Sequence, residues 1–102
     1  MYKLSFFVPK KYLKRVKEGL FEVGAGKWGR YDRCSWETAG RGQFRPLEGS
    51  SPSSGKIGKI KRVKEFKVEM ICGDDIIEKT VRRLKELHPY EEPAYDVIRE
   101  NG

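Results

Sequence analysis

The chain predicts an α+β fold, a split β-α-β or ferredoxin-like sandwich in the order βαββαβ. Two helices cover one face of an antiparallel sheet, and an extended hairpin forms part of it. Three observations carry this. Two segments alternate apolar and polar residues. Each is followed by a segment whose apolar residues recur every three or four positions. A last short run of strand formers closes the chain.

In the first strand, Tyr2, Leu4, Phe6 and Val8 share one face, Lys3, Ser5 and Phe7 share the other, and Pro9 ends it. From Lys10 to Val23 the period changes: Leu13, Val16, Leu20 and Val23 form the stripe of an amphipathic helix, which Gly24-Ala25-Gly26 stops. Lys27 to Pro46 reads as a long hairpin, with strand formers over Tyr31–Thr38, a turn at Gly40-Arg41-Gly42 and a return strand through Phe44. Gly49 to Gly55 is rich in Ser and Gly and predicts a mobile surface loop. Lys56 to Lys64 carries five basic residues, read as a lysine-guarded strand edge or a phosphate-contacting patch. Val63 to Cys72 alternates again, with Phe66, Val68, Met70 and Cys72 on one face. Gly73-Asp74-Asp75 then predicts a turn with an acidic helix cap. The second helix runs to Leu87 on the stripe Ile77, Val81 and Leu84, and His88-Pro89 closes it. Ala94 to Ile98 is the last strand.

At 102 residues the chain has the size of one domain, 1–102, large enough for a single core. No stretch approaches the length of a membrane span and no apolar leader is visible, so a cytoplasmic location is expected. Two cysteines, Cys34 and Cys72, are too few for a disulfide framework or a four-ligand zinc site. Gln43 and Asn101 are the only amide side chains among 36% charged residues, a composition of thermophile type. The net charge of +7 therefore has two readings, a polyanion partner or a lysine-rich thermostable surface.

His88, with Glu91 and Glu92, combines residue types that hold divalent ions. The alternative is structural: a histidine at a helix C-terminus meets unpaired carbonyls and the negative end of the dipole. With one histidine in the chain, no cofactor and no metal is expected, and His88 with Glu91 would be the place if there were one. Cys34, beside Asp32 and Arg33, suits an activated thiolate, but no histidine neighbours it in sequence, which favours packing. Trp28, Tyr31 and Trp36, among Arg30, Arg33, Arg41 and Arg45, suit either a platform for single-stranded nucleic acid or a subunit interface. The interface reading also counts Phe7 and Tyr95, because Phe7, Ile71, Tyr95 and Val97 alternate with the residues assigned to the helices.

Four phrases go beyond pattern: Gly24-Ala25-Gly26, Tyr31 to Trp36, Gly40 to Gly49, and His88-Pro89-Tyr90-Glu91-Glu92-Pro93-Ala94-Tyr95-Asp96. Together they resemble the PII/CutA-like domain inserted into many bacterial members of the NIF-three-like family, often labelled GTP cyclohydrolase type 2 homologues. The His88–Glu91 stretch is also similar to CutA proteins at the same place before the last strand. The resemblance implies a PII/CutA-like sandwich and a homotrimer. It implies no enzyme, since that family's two-metal centre lies in flanking domains outside these residues. Arg33 stands where related sequences often have histidine, so no second imidazole is carried over. The expectation is a small homo-oligomeric binding or regulatory module. Its candidate ligand residues are His88, Tyr90, Glu91, Glu92, Cys34 and Arg45. A nucleic-acid-binding protein and a divalent-metal-binding protein centred on His88 are the alternatives.

Overall fold

The computed structural model describes residues 1–100. Along the chain come β1 (Tyr2–Pro9), α1 (Lys10–Glu22), β2 (Trp36–Phe44), β3 (Lys61–Cys72), α2 (Ile77–Leu87) and β4 (Tyr95–Arg99). The four strands form one antiparallel sheet in the order β2-β3-β1-β4. Both helices lie on one face, as the sequence periodicities require.

Register explains the core. Leu4, Phe6 and Val8 of β1 stand opposite Met70, Val68 and Phe66 of β3. This face meets Val16 and Leu20 of α1 and Leu84 of α2, all fully buried. Each such side chain contributes about 1.5–3 kcal/mol on leaving water. The helices touch where Gly19 of α1 leaves room for Leu87 of α2. The end of α1 is a Schellman motif: Gly24 N–H donates to Phe21 O at 3.0 Å and Ala25 N–H to Leu20 O at 3.1 Å, with Gly24 at φ +107°.

Four expectations change. Gly40-Arg41-Gly42 is not a turn but the middle of β2, which runs straight from Trp36 to Phe44. The long hairpin is instead β2 with β3, and its connection spans residues 45–60. A small separate hairpin precedes it, where Trp28 and Tyr31 exchange two backbone bonds of 2.9 Å around Gly29-Arg30. Secondly, β3 is interior, so the lysines of 56–64 guard no free edge; the free edges are β2 and β4. Thirdly, among the described residues no side chain caps the N-terminus of α2. Asp74 instead binds Arg99 of β4 at 3.2 Å and the Met1 ammonium at 2.5 Å. Finally, β4 has the opposite phase. Tyr95 pairs with Phe6 and Val97 with Leu4, so both lie on the helix side; Tyr95 packs against the core with the Lys85 ammonium 5.6 Å from its ring centre.

Candidate ligand-binding cleft

The face of the sheet away from the helices is set by the other parity: Lys3, Ser5 and Phe7 on β1, and Lys67, Glu69 and Ile71 opposite them on β3. Its middle is polar and neutralised internally. Glu69 sits 3.6 Å from Lys3 and 3.8 Å from Lys67. Its two ends differ from the middle and from each other.

At one end the sheet floor is Phe7, Glu65, Gly42 and Phe44. These positions adjoin only because β1, β2 and β3 pair in this register, with Glu65 opposite Pro9 on one side and Gly40 on the other. Two irregular segments wall the floor. The turn after α2 brings Tyr90, Glu91, Glu92 and Ala94; the β2–β3 connection brings Pro46, Ser50, Pro52 and Ser53. They enclose a cleft of about 490 Å³. Ser51 N–H donates to Glu91 Oε1 at 3.1 Å and joins the two walls. The segment expected to be a mobile surface loop thus walls the cleft. Gly42 is required here for space: a Cβ at this position would run into the Glu65 carboxylate.

Two polar groups in this cleft stand apart from the rest. Among the described residues Glu65 enters no ion pair, while Glu69, two positions along the same face, has two. Burial pushes the Glu65 carboxyl above the usual carboxylate range. The Tyr90 hydroxyl is buried and has no hydrogen-bond partner among the described residues. Burial, and then the charge of Glu65, raise its pKa. A buried hydroxyl without a partner costs about 1–3 kcal/mol, so this end of the sheet holds polar capacity that the chain itself does not use.

His88 lies beneath the cleft rather than in it. As the C-cap of α2 it is 6% exposed, and its ring crosses to β1 instead of bonding helix carbonyls. Nε2 is 2.6 Å from Phe7 O, and Nδ1 accepts the Tyr90 N–H at 3.1 Å. A carbonyl can only accept, and an amide N–H can only donate. The ring is therefore the neutral Nε2–H tautomer, with both nitrogens engaged. Burial holds its pKa below 6.5, partly opposed by the Phe7 carbonyl. His88 orients Tyr90, whose ring centre lies 4.9 Å from its own, and Phe44 stands 6.2 Å from Tyr90.

Of the residues singled out in the sequence, Tyr90, Glu91, Glu92 and Phe7 meet at this cleft, with His88 behind them. Arg45 is exposed and does not line it. Cys34 is at the other end of the sheet, where Trp28, Trp36, Lys3, Glu69 and Ile71 surround a second, more open hollow of about 430 Å³. Lys3 and Phe7 are four residues apart on β1, so the two ends are separated by roughly 13 Å along the strand, and His88 cannot serve Cys34 as a base. Cys72 is buried, donating to Thr80 Oγ1 at 3.3 Å, and its pKa is raised by burial. Among the described residues no three His, Cys, Asp or Glu side chains converge as a metal-holding group. Sequence reading missed Glu65, Gly42 and Phe44. The available signal was a lone acid on the open-face parity of a lysine-rich strand.

No protein-family model matches the chain. A GTP cyclohydrolase 1 type 2 homolog of Staphylococcus epidermidis is 41% identical over 100 residues, 98% of this chain and 27% of that protein. A second, from Halalkalibacterium halodurans, is 42% identical over 97 residues, 95% of this chain and 26% of that protein. This chain is a homologue of one segment of the GTP cyclohydrolase 1 type 2 homologs. It spans about a quarter of their length. Among solved structures, a Bacillus cereus protein related to NIF3 superposes on 99% of the chain with a TM-score of 0.84 at 34% identity, over 26% of that protein. CutA1 from Pyrococcus horikoshii covers the whole chain and 85% of its own with a TM-score of 0.72 at 22% identity, which shows a shared fold. The ferredoxin-like sandwich of CutA and PII-like type is thereby established for this chain.

Proposed function

We propose that the chain is a non-enzymatic, homo-oligomeric binding module that holds a small ligand in the cleft between the sheet and the two walls. One observation carries this reading above the others. The only histidine has one ring nitrogen bonded to Phe7 O and the other to the Tyr90 N–H, so it supports a pocket instead of supplying a base. The pocket it supports carries an unpartnered hydroxyl and an unpaired carboxylate. The other end of the open face, with Trp36 at 61% and Trp28 at 49% exposure, is the part suited to a subunit contact. In this reading the homologous segment serves the same binding role inside the longer relatives, leaving chemistry to their remaining three quarters.

The test is a fragment screen by heteronuclear NMR on the full chain, using neutral, anionic and cationic fragments alike. Hits are expected to move the backbone signals of Gly42, Phe44, Tyr90 and Glu91. A screen in which no fragment of any charge moves these signals would reject the cleft as a ligand site.

A further inference from the structure

We infer that the cleft takes a small organic cation: an ammonium, amidinium or guanidinium head on a flat apolar body. The inference rests on the reading of the cleft as a ligand site and names the class of ligand.

The apolar part is built by Phe44 and Tyr90, whose tilted rings stand 6.2 Å apart and face the same hollow as Phe7. Such a wall takes a flat hydrocarbon body, and its ring faces also favour a positive charge. The charged part of the lining is all acidic, beside the neutral Gln43, Ser50 and Ser53. Among the described residues Glu65 enters no ion pair, and Glu91 and Glu92 stand on the turn that walls the same cleft, Glu91 Oε1 already accepting from Ser51 N–H. The Tyr90 oxygen, buried in the wall and without a hydrogen-bond partner among the described residues, is a further acceptor. Among the described residues no Lys or Arg lines the hollow, although Lys and Arg make up 22 of the 102 residues and the net charge is +7. An anionic ligand such as a nucleotide phosphate would meet three carboxylates and no cation. A donor-only head matches both kinds of acceptor, because every N–H of an ammonium or amidinium donates. A bare divalent ion is a poorer match: no three carboxylates or other metal-binding side chains converge on a point among the described residues. The head needs a body that spans between separated acceptors and fills about 490 Å³, the lower part of the range for small-molecule sites. Gly42 keeps the Glu65 end open, since any side chain there would project against the carboxylate.

The experiment is calorimetric titration of the full chain with phenethylamine and benzamidine, and with their anionic counterparts phenylacetate and benzoate, at one salt concentration. The cations are expected to bind and the anions not. Glu65→Gln is expected to weaken the cations by about tenfold or more, the loss of one charge-assisted hydrogen bond. Tyr90→Phe, which removes only the hydroxyl, provides a second variant if Glu65→Gln does not fold; it is expected to weaken binding severalfold. Gly42→Leu is expected to abolish binding. Anions binding as tightly as cations, with both lost in Gly42→Leu, would overturn the cation assignment and leave the ligand site standing. Cation affinity unchanged in Glu65→Gln and Tyr90→Phe would overturn it too. If no probe of either charge binds, the inference fails, and the fragment screen decides separately whether the cleft binds anything.

Discussion

His88 is worth following from its atoms outward. A carbonyl on one side and an amide N–H on the other fix its tautomer, and burial keeps it neutral. The unfolded chain takes up this proton near pH 6.5; the folded chain takes it up only at lower pH. Below 6.5 the unfolded state therefore binds more protons, and stability decreases as pH decreases. This contribution is complete above pH 6.5 and is lost as pH drops through the window down to the folded value. Glu65 has the opposite sign: its raised pKa makes the folded state the better proton acceptor just above the ordinary 4.5, so it offsets part of the loss in the more acidic range. His88→Gln keeps a donor for Phe7 O and removes the titration. Denaturant unfolding at pH 7.5 and 5.5 is expected to show a drop for the parent chain that is smaller in His88→Gln. His88→Ala is expected to lose about 2–4 kcal/mol at either pH, from the buried ring and two hydrogen bonds. An equal pH dependence in the parent and His88→Gln would mean that the imidazole is not held neutral.

At the scale of elements, helices and strands were legible where one face is buried and the other wet, because burial imposes a period. Hence α1, α2, β1 and most of β3 fall where the sequence places them. β2 was not legible for the same physical reason: it lies at a sheet edge, almost wholly exposed on both faces, so nothing forces alternation. Its Gly40-Arg41-Gly42 carries a turn composition, but Gly42 is there to clear the Glu65 carboxylate. β4 misled in phase because its helix-side residue Val97 is still 37% exposed. The cleft was half legible. The Tyr90–Glu92 turn stands out in the sequence, while its floor needs three strands in register. Gly26 shows how tightly the connection out of α1 is built. It has φ +83°, donates to Ile71 O at 2.7 Å and accepts from Cys34 N–H at 2.8 Å. A Cβ there would stand 2.9 Å from Cys34 O and from Phe21. Gly26→Ala is expected to cost about 2–3 kcal/mol, combining the left-handed backbone with a clash on the Cys34 carbonyl. Chemical denaturation at fixed protein concentration measures it, and a change below about 0.5 kcal/mol, the range of an ordinary surface substitution, would contradict the account.

At the scale of the whole molecule, the open sheet face divides the labour. One end is roofed by the chain's own connection and turn. The middle neutralises its charges through Glu69. Only the other end is left apolar and uncovered, where Trp28, Trp36 and Ile71 ring the second hollow. Tyr31 at 73% and Ile98 at 56% exposure add to the apolar surface outside the core. β2, which begins at Trp36, is also a free strand edge with unpaired backbone groups. A twelve-kilodalton-class domain with exposed tryptophans beside a free edge is expected to cover them by association, and cyclic symmetry lets identical copies close without leaving an open end. The proposed assembly is a homotrimer built through this end, which keeps the Phe44–Tyr90 cleft at the far end of each sheet open to ligand. Light scattering coupled to size exclusion at micromolar concentration is expected to give three times the 11.8 kDa chain mass. Trp36→Lys places a charge where the contact is proposed and is expected to shift the population to monomer. The substituted side chain is exposed and is not one of those packed against the core, so the fold should survive, as circular dichroism can verify. A parent chain that stays monomeric, or a Trp36→Lys variant that assembles as the parent does, would remove the tryptophan end as the subunit interface.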